Sequence, residues 1–468
     1  MTAKLQTGAL SMAESIIMGV AGSAPGFSVS VALASLIGTA GIRAPGALVY
    51  FALPMIGIAM AYKGLGARMP NAGAGYEWTG RLFGKPFGFA SGWALLVAAA
   101  VFTVTGSSPL GAATLSIFDP TLADSVILST AIGLVWFLAI AVVLMIGIGL
   151  TSKVQVIMTV IQLFVITAVL VGAAVHAFRH GAINPPSWSW FSLDYPAGTL
   201  APTALLVVFF YWGWDVTANL GEETCAEEED AGTAGFISVF ITTAYFVAFA
   251  GATLVLFSVS QGKDLSANLV YQIAQESGLG PVGTLAASIA VILSSVASME
   301  TLLLQFSRTL FAMGRAGSMP VTFGEIHPKA RTPVNAMYLI MGLGVVLMLL
   351  ACFMPSVSLI LSTSVKAIAL QVSFYYGLAG LACAYLYRQT WRTEPGQFAI
   401  FAIYPFVSAL CLAAAGIYAF FTFDMLTRVV GLGGLLIGVL FYRKRPYGLK
   451  TIDTLLAGSQ APLHGDAR

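Results

Sequence analysis

An all-α polytopic membrane protein of twelve transmembrane helices is the fold class this sequence predicts, and three observations predict it. Of 468 residues, 58% are hydrophobic and only 9% charged, with a mean hydropathy of +0.88, against roughly 25% charged in soluble domains. Twelve apolar stretches approach the ~20 residues that one bilayer crossing needs. Two of them, at corresponding places in the chain, are interrupted in mid-span by glycine or proline.

In order, the spans are expected at 14 to 37, 45 to 67, 86 to 113, 126 to 149, 152 to 178, 200 to 221, 232 to 258, 282 to 315, 334 to 352, 358 to 386, 397 to 421 and 424 to 442. Span 1 holds the interruption Gly22-Ser23-Ala24-Pro25-Gly26-Phe27. Lys63 and Arg68 close span 2, Arg81 and Lys85 precede span 3, and Lys153 opens span 5. The stretch 179 to 199, rich in Pro, Trp and Ser, is the natural linker. Span 6 carries the second interruption, Phe209-Phe210-Tyr211-Trp212-Gly213-Trp214-Asp215-Val216-Thr217, and an acidic loop at 222 to 230 follows it. Span 8 ends at Arg308 and Arg315, span 10 before Arg388 and Arg392, and span 12 before Arg443-Lys444-Arg445.

Spans 1 to 5 and 6 to 10 are similar in length, each set opens with an interrupted span, and an odd number per set turns the two in opposite directions. The expectation is therefore an inverted repeat, 1–178 and 200–386, joined by 179–199 and followed by two helices in 387–445 and a tail, 446–468. Seventeen of the 22 lysines and arginines fall on the side of the N-terminus, four on the other, with Lys366 inside a span. That bias places both termini in the cytoplasm, and the acidic loop carries little weight against it. The N-terminus shows no secretory cleavage pattern. Cys225, Cys352, Cys383 and Cys411 have no metal spacing and are expected to be free thiols.

A backbone at membrane depth must satisfy its own polar groups, so a segment that unwinds there usually lines a cavity. An interrupted helix exposes N–H groups at the start of its second half and carbonyls at the end of its first. Such ends suit a small zwitterion, its carboxylate on the amides of Ser23 to Phe27 and its ammonium on carbonyls near Ala21, Phe209 and Phe210. The candidate site is thus Ala21, Gly22, Ser23, Ala24, Gly26 and Phe27 with Phe209, Phe210, Tyr211, Trp212, Gly213, Trp214 and Asp215. The bland alternative is close glycine packing with no ligand, and for the aromatic residues lipid or core packing competes with a gating or cation–π role. Asp215 has two compatible roles, facing the site or capping the second half-helix. Glu300 and Lys366 are the other ionisable groups deep in spans, either a structural pair or part of an ion route.

Met69-Pro70-Asn71-Ala72-Gly73-Ala74-Gly75-Tyr76-Glu77-Trp78, followed by Phe83-Gly84-Lys85-Pro86-Phe87-Gly88-Phe89-Ala90-Ser91-Gly92-Trp93, resembles the loop and third helix of the amino acid-polyamine-organocation transporters, which share the leucine-transporter-like five-plus-five fold. Lys153-Val154-Gln155, Gly213-Trp214-Asp215 with Glu222-Glu223, and Ser307-Arg308 through Pro320 extend the resemblance over roughly residues 10 to 445. It implies an outer gating role for Phe209, and an inner gate of Glu222 and Glu223 against Arg308, with solvated surface charge as the plain alternative. Ser294 and Ser295 resemble the sodium-site serines of some cousins, though helix-packing serine is the commoner explanation. Two departures stand out. Pro25 has no N–H to offer a carboxylate, and the place of the coupling lysine in proton-driven relatives is taken here by Gln162.

The function expected is secondary transport of an amino acid by alternating access, with H⁺ as the coupling ion and Na⁺ or plain exchange as alternatives. A polyamine or other amine carrier of the same fold is the alternative that Asp215 and Pro25 favour. There is no phosphate-binding glycine loop for ATP. His176, His180, His327 and His464 are not expected to pair, so no convergent catalytic or metal set appears. No cofactor and no nucleic-acid partner is expected, and the cellular address is a bacterial plasma membrane.

Overall fold

Ser11 starts the first helix with a capping box: its hydroxyl accepts the Glu14 N–H at 3.3 Å while the Glu14 carboxylate accepts the Ser11 N–H at 2.8 Å. In this computed structural model, which describes residues 5–196, 198–225, 230–263, 265 and 269–442, secondary structure is helical apart from an isolated bridge between Leu10 and Thr224. Lys4, the acidic residues Glu227, Glu228 and Glu229, Arg443-Lys444-Arg445 and the tail 446–468 lie outside the described residues.

The helices are α1 (Met12–Ser23), α2 (Pro25–Ala40), α3 (Ala44–Arg68), α4 (Gly75–Phe83), α5 (Lys85–Ser116), α6 (Val126–Leu144), α7 (Ile148–His180), α8 (Leu200–Phe210), α9 (Val216–Asn219), α10 (Asp230–Leu256), α11 (Val259–Gly262), α12 (Leu269–Glu276), α13 (Gly280–Arg315), α14 (Val334–Ala351), α15 (Val357–Tyr387), α16 (Pro395–Thr422) and α17 (Met425–Phe441). Among the described residues nine helical runs are long and apolar enough to cross a membrane. One of them, Met12–Arg68, is 57 residues long, and the apolar helices Leu200–Phe210 and Met425–Phe441 are shorter. At ~1.5 Å per residue a 57-residue run far exceeds one crossing, and it is divided at Ala24 and at the 3₁₀ turn Gly41–Arg43.

The longest helix, α13, packs against α1, α2, α5 and α7, so it runs along the first break and supplies one wall of what lies there. The pair α5 and α6 crosses closely because the residues at the crossing are small: a Cβ on Gly111 would lie 1.9 Å from the Ser129 carbonyl oxygen, and one on Gly133 would lie 2.2 Å from that of Ser107. The four cysteines are free thiols, as expected. Against expectation, His176 and His180 do pair. Their rings meet tilted at 34° with centroids 4.4 Å apart near the end of α7, because residues four apart share a helix face.

Candidate functional site

The first break is one residue wide. Ala24 adopts the left-handed conformation (φ 44°, ψ 72°) between α1 and α2, and Pro25 takes the first position of α2, where its missing N–H is no loss to the helix. The cost falls on Ala21, whose carbonyl would have met the N–H of residue 25; it accepts no hydrogen bond among the described residues. The neighbouring groups are held by side chains. The Gly22 carbonyl accepts from Ser298 at 3.3 Å, the Ser23 carbonyl from Ser28 at 2.7 Å, and the Phe27 N–H donates to Ser294 at 3.0 Å. The Gly26 N–H donates to nothing among the described residues.

The second break is wider. α8 stops at Phe210, Gly213 turns with φ 102°, and only the single turn Val216–Asn219 follows. The Phe210, Tyr211 and Trp212 carbonyls accept no hydrogen bond among the described residues. The two breaks meet through bare backbone: a Cβ on Gly22 would lie 2.2 Å from the Gly213 carbonyl oxygen, and one on Gly213 would lie 2.3 Å from that of Gly22. No other residue type allows this approach.

A cavity opens beside the contact, lined by Gly22, Phe27, Phe209, Trp212, Thr301 and Gln305 among others. Three of its rings, Phe27, Phe102 and Trp212, pack edge to face with centroids 5.5 Å apart at each contact. The space for the centre of a water molecule is about 10 Å³, room for one water. The pocket is closed down in this conformation.

Asp215 sits just behind the cavity wall, fully buried. Its Oδ2 accepts from the Gln305 amide at 2.7 Å and the Tyr375 hydroxyl at 3.0 Å, and Tyr375 accepts from the Trp212 indole at 2.7 Å. The capping role is therefore corrected: Asp215 makes no side-chain cap to α9, because its φ, ψ of −69°, −7° are already helical and turn the carboxylate toward Gln305. The sequence-predicted aromatic set also divides. Phe209 and Trp212 line the cavity, whereas Phe210 packs on Phe246, Tyr211 donates to the Leu48 carbonyl, and Trp214 packs between Tyr62 and Tyr376.

The ion-route candidates separate too. Ser294 holds the first break, but Ser295 donates to its own helix at Val291. Gln162 is fully buried with neither amide atom partnered among the described residues, on the same face of α7 as Thr159 and Gln155, and Gln155 donates to the Ala297 carbonyl at 2.9 Å. Glu300 and Lys366 do not pair. Glu300 is buried on α13 with Oε1 unpartnered, while Lys366 on α15 lines a separate large cavity. On α13 Glu300 lies about 140° round the helix from Gln305.

At the N-terminal side the cavity is sealed. Arg308, 1% exposed, grips Glu223, 0% exposed, through two bonds of 2.9 and 3.0 Å. Glu222 pairs with Arg315 instead, at 2.7 and 3.1 Å, which corrects the expectation that both glutamates meet Arg308. Partial burial pushes the Glu222 carboxyl up, but the Arg315 guanidinium and the Ala72 N–H outweigh it and hold the group below its ordinary range. The loop of Asn71 and Ala72 completes the seal, since the Ala72 carbonyl accepts from Asn219 at 2.7 Å. Sequence reasoning missed Ser298, Thr301 and Gln305. Their spacing from Ser294, at i+4, i+7 and i+11, was the available signal, one polar stripe down an apolar helix.

The family described as amino acid permease matches residues 9–442. The branched-chain amino acid permease BcaP of Bacillus subtilis is 26% identical over 64% of this chain and 67% of its own length. The serine/threonine exchanger SteT of the same organism is 23% identical over 83% of this chain and 88% of its own. The low-affinity putrescine importer PlaP of Escherichia coli is 27% identical over 63% and 65%. With matching sequence reaching across both breaks and the gate, this multi-pass membrane protein is a transporter and belongs to the amino acid permease family.

Proposed function

We propose that this chain carries an amino acid across the bacterial plasma membrane by alternating access, driven by H⁺, with both termini in the cytoplasm. The observation that carries the reading is the backbone contact of Gly22 and Gly213 beside a small cavity. An N–H at Gly26 and carbonyls at Ala21 and Phe210 to Trp212 stand unpaired there, which offers a zwitterion opposite partial charges at its two ends. Pro25 removes one carboxylate donor and leaves Gly26, while Gln305, Thr301 and Ser298 supply side-chain polarity.

The twelve-helix, five-plus-five arrangement follows if Met12–Arg68 makes two crossings and α8 with α9 one. Its repeats are then residues 1–178 and 200–386, with 179–199 outside and the helices of 387–445 appended. H⁺ coupling is supported by Glu300, a buried carboxyl without a cation beside it, since such groups in membrane proteins mark ion routes.

Counterflow in proteoliposomes with labelled amino acids and amines, with and without pH and Na⁺ gradients, tests the reading. Signal for at least one amino acid, enhanced by an inward H⁺ gradient, is expected. Signal for putrescine with none for ornithine or any other amino acid would overturn it.

A further inference from the structure

A second cavity lies on the side of the molecule away from the Arg308–Glu223 seal. It holds about 580 Å³, against about 10 Å³ at the breaks. Two facing stripes wall it: Ser358, Ser362 and Lys366, each four residues apart on α15, and Ser35 and Thr39 on α2. Lys263 and Asp124 stand at its rim. Its floor includes Val31 and Leu206, which are four and three residues from Phe27 and Phe209 of the central cavity, so about one helical turn separates the two spaces.

Lys366 is the unexplained group here. It lies nine residues into α15, about 14 Å along the helix, where a cation is costly unless it is paired or hydrated. Among the described residues it makes no hydrogen bond or ion pair. Its charge is felt by Asp424, but that carboxylate is committed to the Thr427 N–H at 2.9 Å and hydroxyl at 2.7 Å. A lysine kept half-buried, surrounded by hydroxyls and facing open space above a narrow site, is arranged to meet an anion that arrives from that side.

We propose that Lys366 forms an outer binding site for the carboxylate of the incoming amino acid, one helical turn above the central cavity. The ammonium attracts the carboxylate into the vestibule, and the hydroxyls of Ser358 and Ser362 share it before the packed rings of Phe27, Phe102 and Trp212 part. This rests on the amino acid reading and the orientation given above.

The test is initial uptake by right-side-out vesicles of the amino acid that gives counterflow. Lys366→Gln is expected to raise the half-saturating concentration about five- to tenfold with the maximal rate unchanged, the signature of lost encounter and binding without a lost transport step. Lys366→Arg restores it, and added salt weakens wild-type uptake more than that of Lys366→Gln. In the wild-type protein, L-alanine, L-leucine or L-lysine protects Lys366 from an impermeant amine reagent when that amino acid is a substrate, and its decarboxylated amine does not. This reading does not depend on the folding of a variant. Unchanged half-saturation in Lys366→Gln, or equal protection by the amines, overturns the proposal. So does a dependence on chloride, against gluconate, that Lys366→Gln abolishes while half-saturation stays at the wild-type value, because the site is then for inorganic anion. Absence of counterflow for every amino acid sinks the functional reading instead.

Discussion

Glu300 and Asp215 show how differently two buried carboxyls can be placed. Asp215 is held by Gln305 and Tyr375 at the cavity wall, so its replacement acts through those partners. In Asp215→Asn the amide oxygen can take the place of Oδ2 and accept from both Gln305 and Tyr375, while the NH2 falls at Oδ1, which accepts nothing among the described residues, so the variant removes the charge and keeps the two bonds. Glu300 has no such partner and lies away from the site face of α13. Residues packed around it carry little charge: α6 and α2 have no ionisable side chain, α14 has only the exposed Tyr338, and Lys85, Lys153, Glu14 and Arg179 sit near the ends of their helices. If Glu300 carries the coupling proton, Glu300→Gln loses about tenfold or more of the accumulation driven by an inward pH gradient, while gradient-free counterflow stays within about twofold. Equal loss of both would make Glu300 a packing residue.

At the scale of helices, the two breaks stand or fall together. A methyl added at Gly22 meets the backbone of Gly213, which cannot step aside as a side chain would. Overpacking of this kind costs about 1–3 kcal/mol or more, and at Gly213 the positive φ adds backbone strain. Gly22→Ala and Gly213→Ala are each expected to lower the melting temperature and abolish counterflow. Gly342→Ala on α14, where a Cβ meets nothing within 4 Å, leaves both unchanged and serves as control. Both interruptions were legible from clusters at corresponding places, Gly22, Pro25 and Gly26 in one span and Gly213 with Asp215 in another; a lone glycine or proline marks nothing, since Pro54 and Pro109 lie inside continuous helices. The inward-facing aromatic residues were not. Between Phe210 and Val216 the backbone has no regular period, so nothing in the order Tyr211, Trp212, Trp214 tells which ring turns to the cavity. Gln305 and Tyr375 were hidden for another reason: each is an ordinary polar residue on a helix, and what matters is that α13 and α15 bring them to one carboxylate.

For the molecule as a whole, the alternating-access proposal reads the sealed N-terminal side and the 580 Å³ space opposite it as one end state of a cycle, and on that proposal Arg308–Glu223 is the bond to be broken on the way to the other. Removing one partner of a buried pair leaves an uncompensated charge and costs about 3–5 kcal/mol, enough to shift a closed gate toward opening by about two to four orders of magnitude. Arg308→Ala is therefore expected to expose the site to the N-terminal side. A Thr301→Cys reporter in a Cys225→Ser background should react with an impermeant maleimide from that side in the variant and not in the parent. The double variant Arg308→Ala with Glu223→Ala removes both charges, so its label reactivity falls back toward the parent. Glu222–Arg315 responds to pH in a defined direction. Its folded carboxyl titrates below the ordinary value, so its stabilisation is complete above the unfolded pKa of ~4.3 and fades only as pH falls through the lower folded value. Between about pH 5 and 8 this pair stays ionised, and the pH dependence of uptake in that range has to come from elsewhere. Glu222→Gln is then expected to keep the shape of the wild-type pH profile even where its rate is lower, and a flattened profile in that variant would move the proton-sensing step from the membrane interior to the gate.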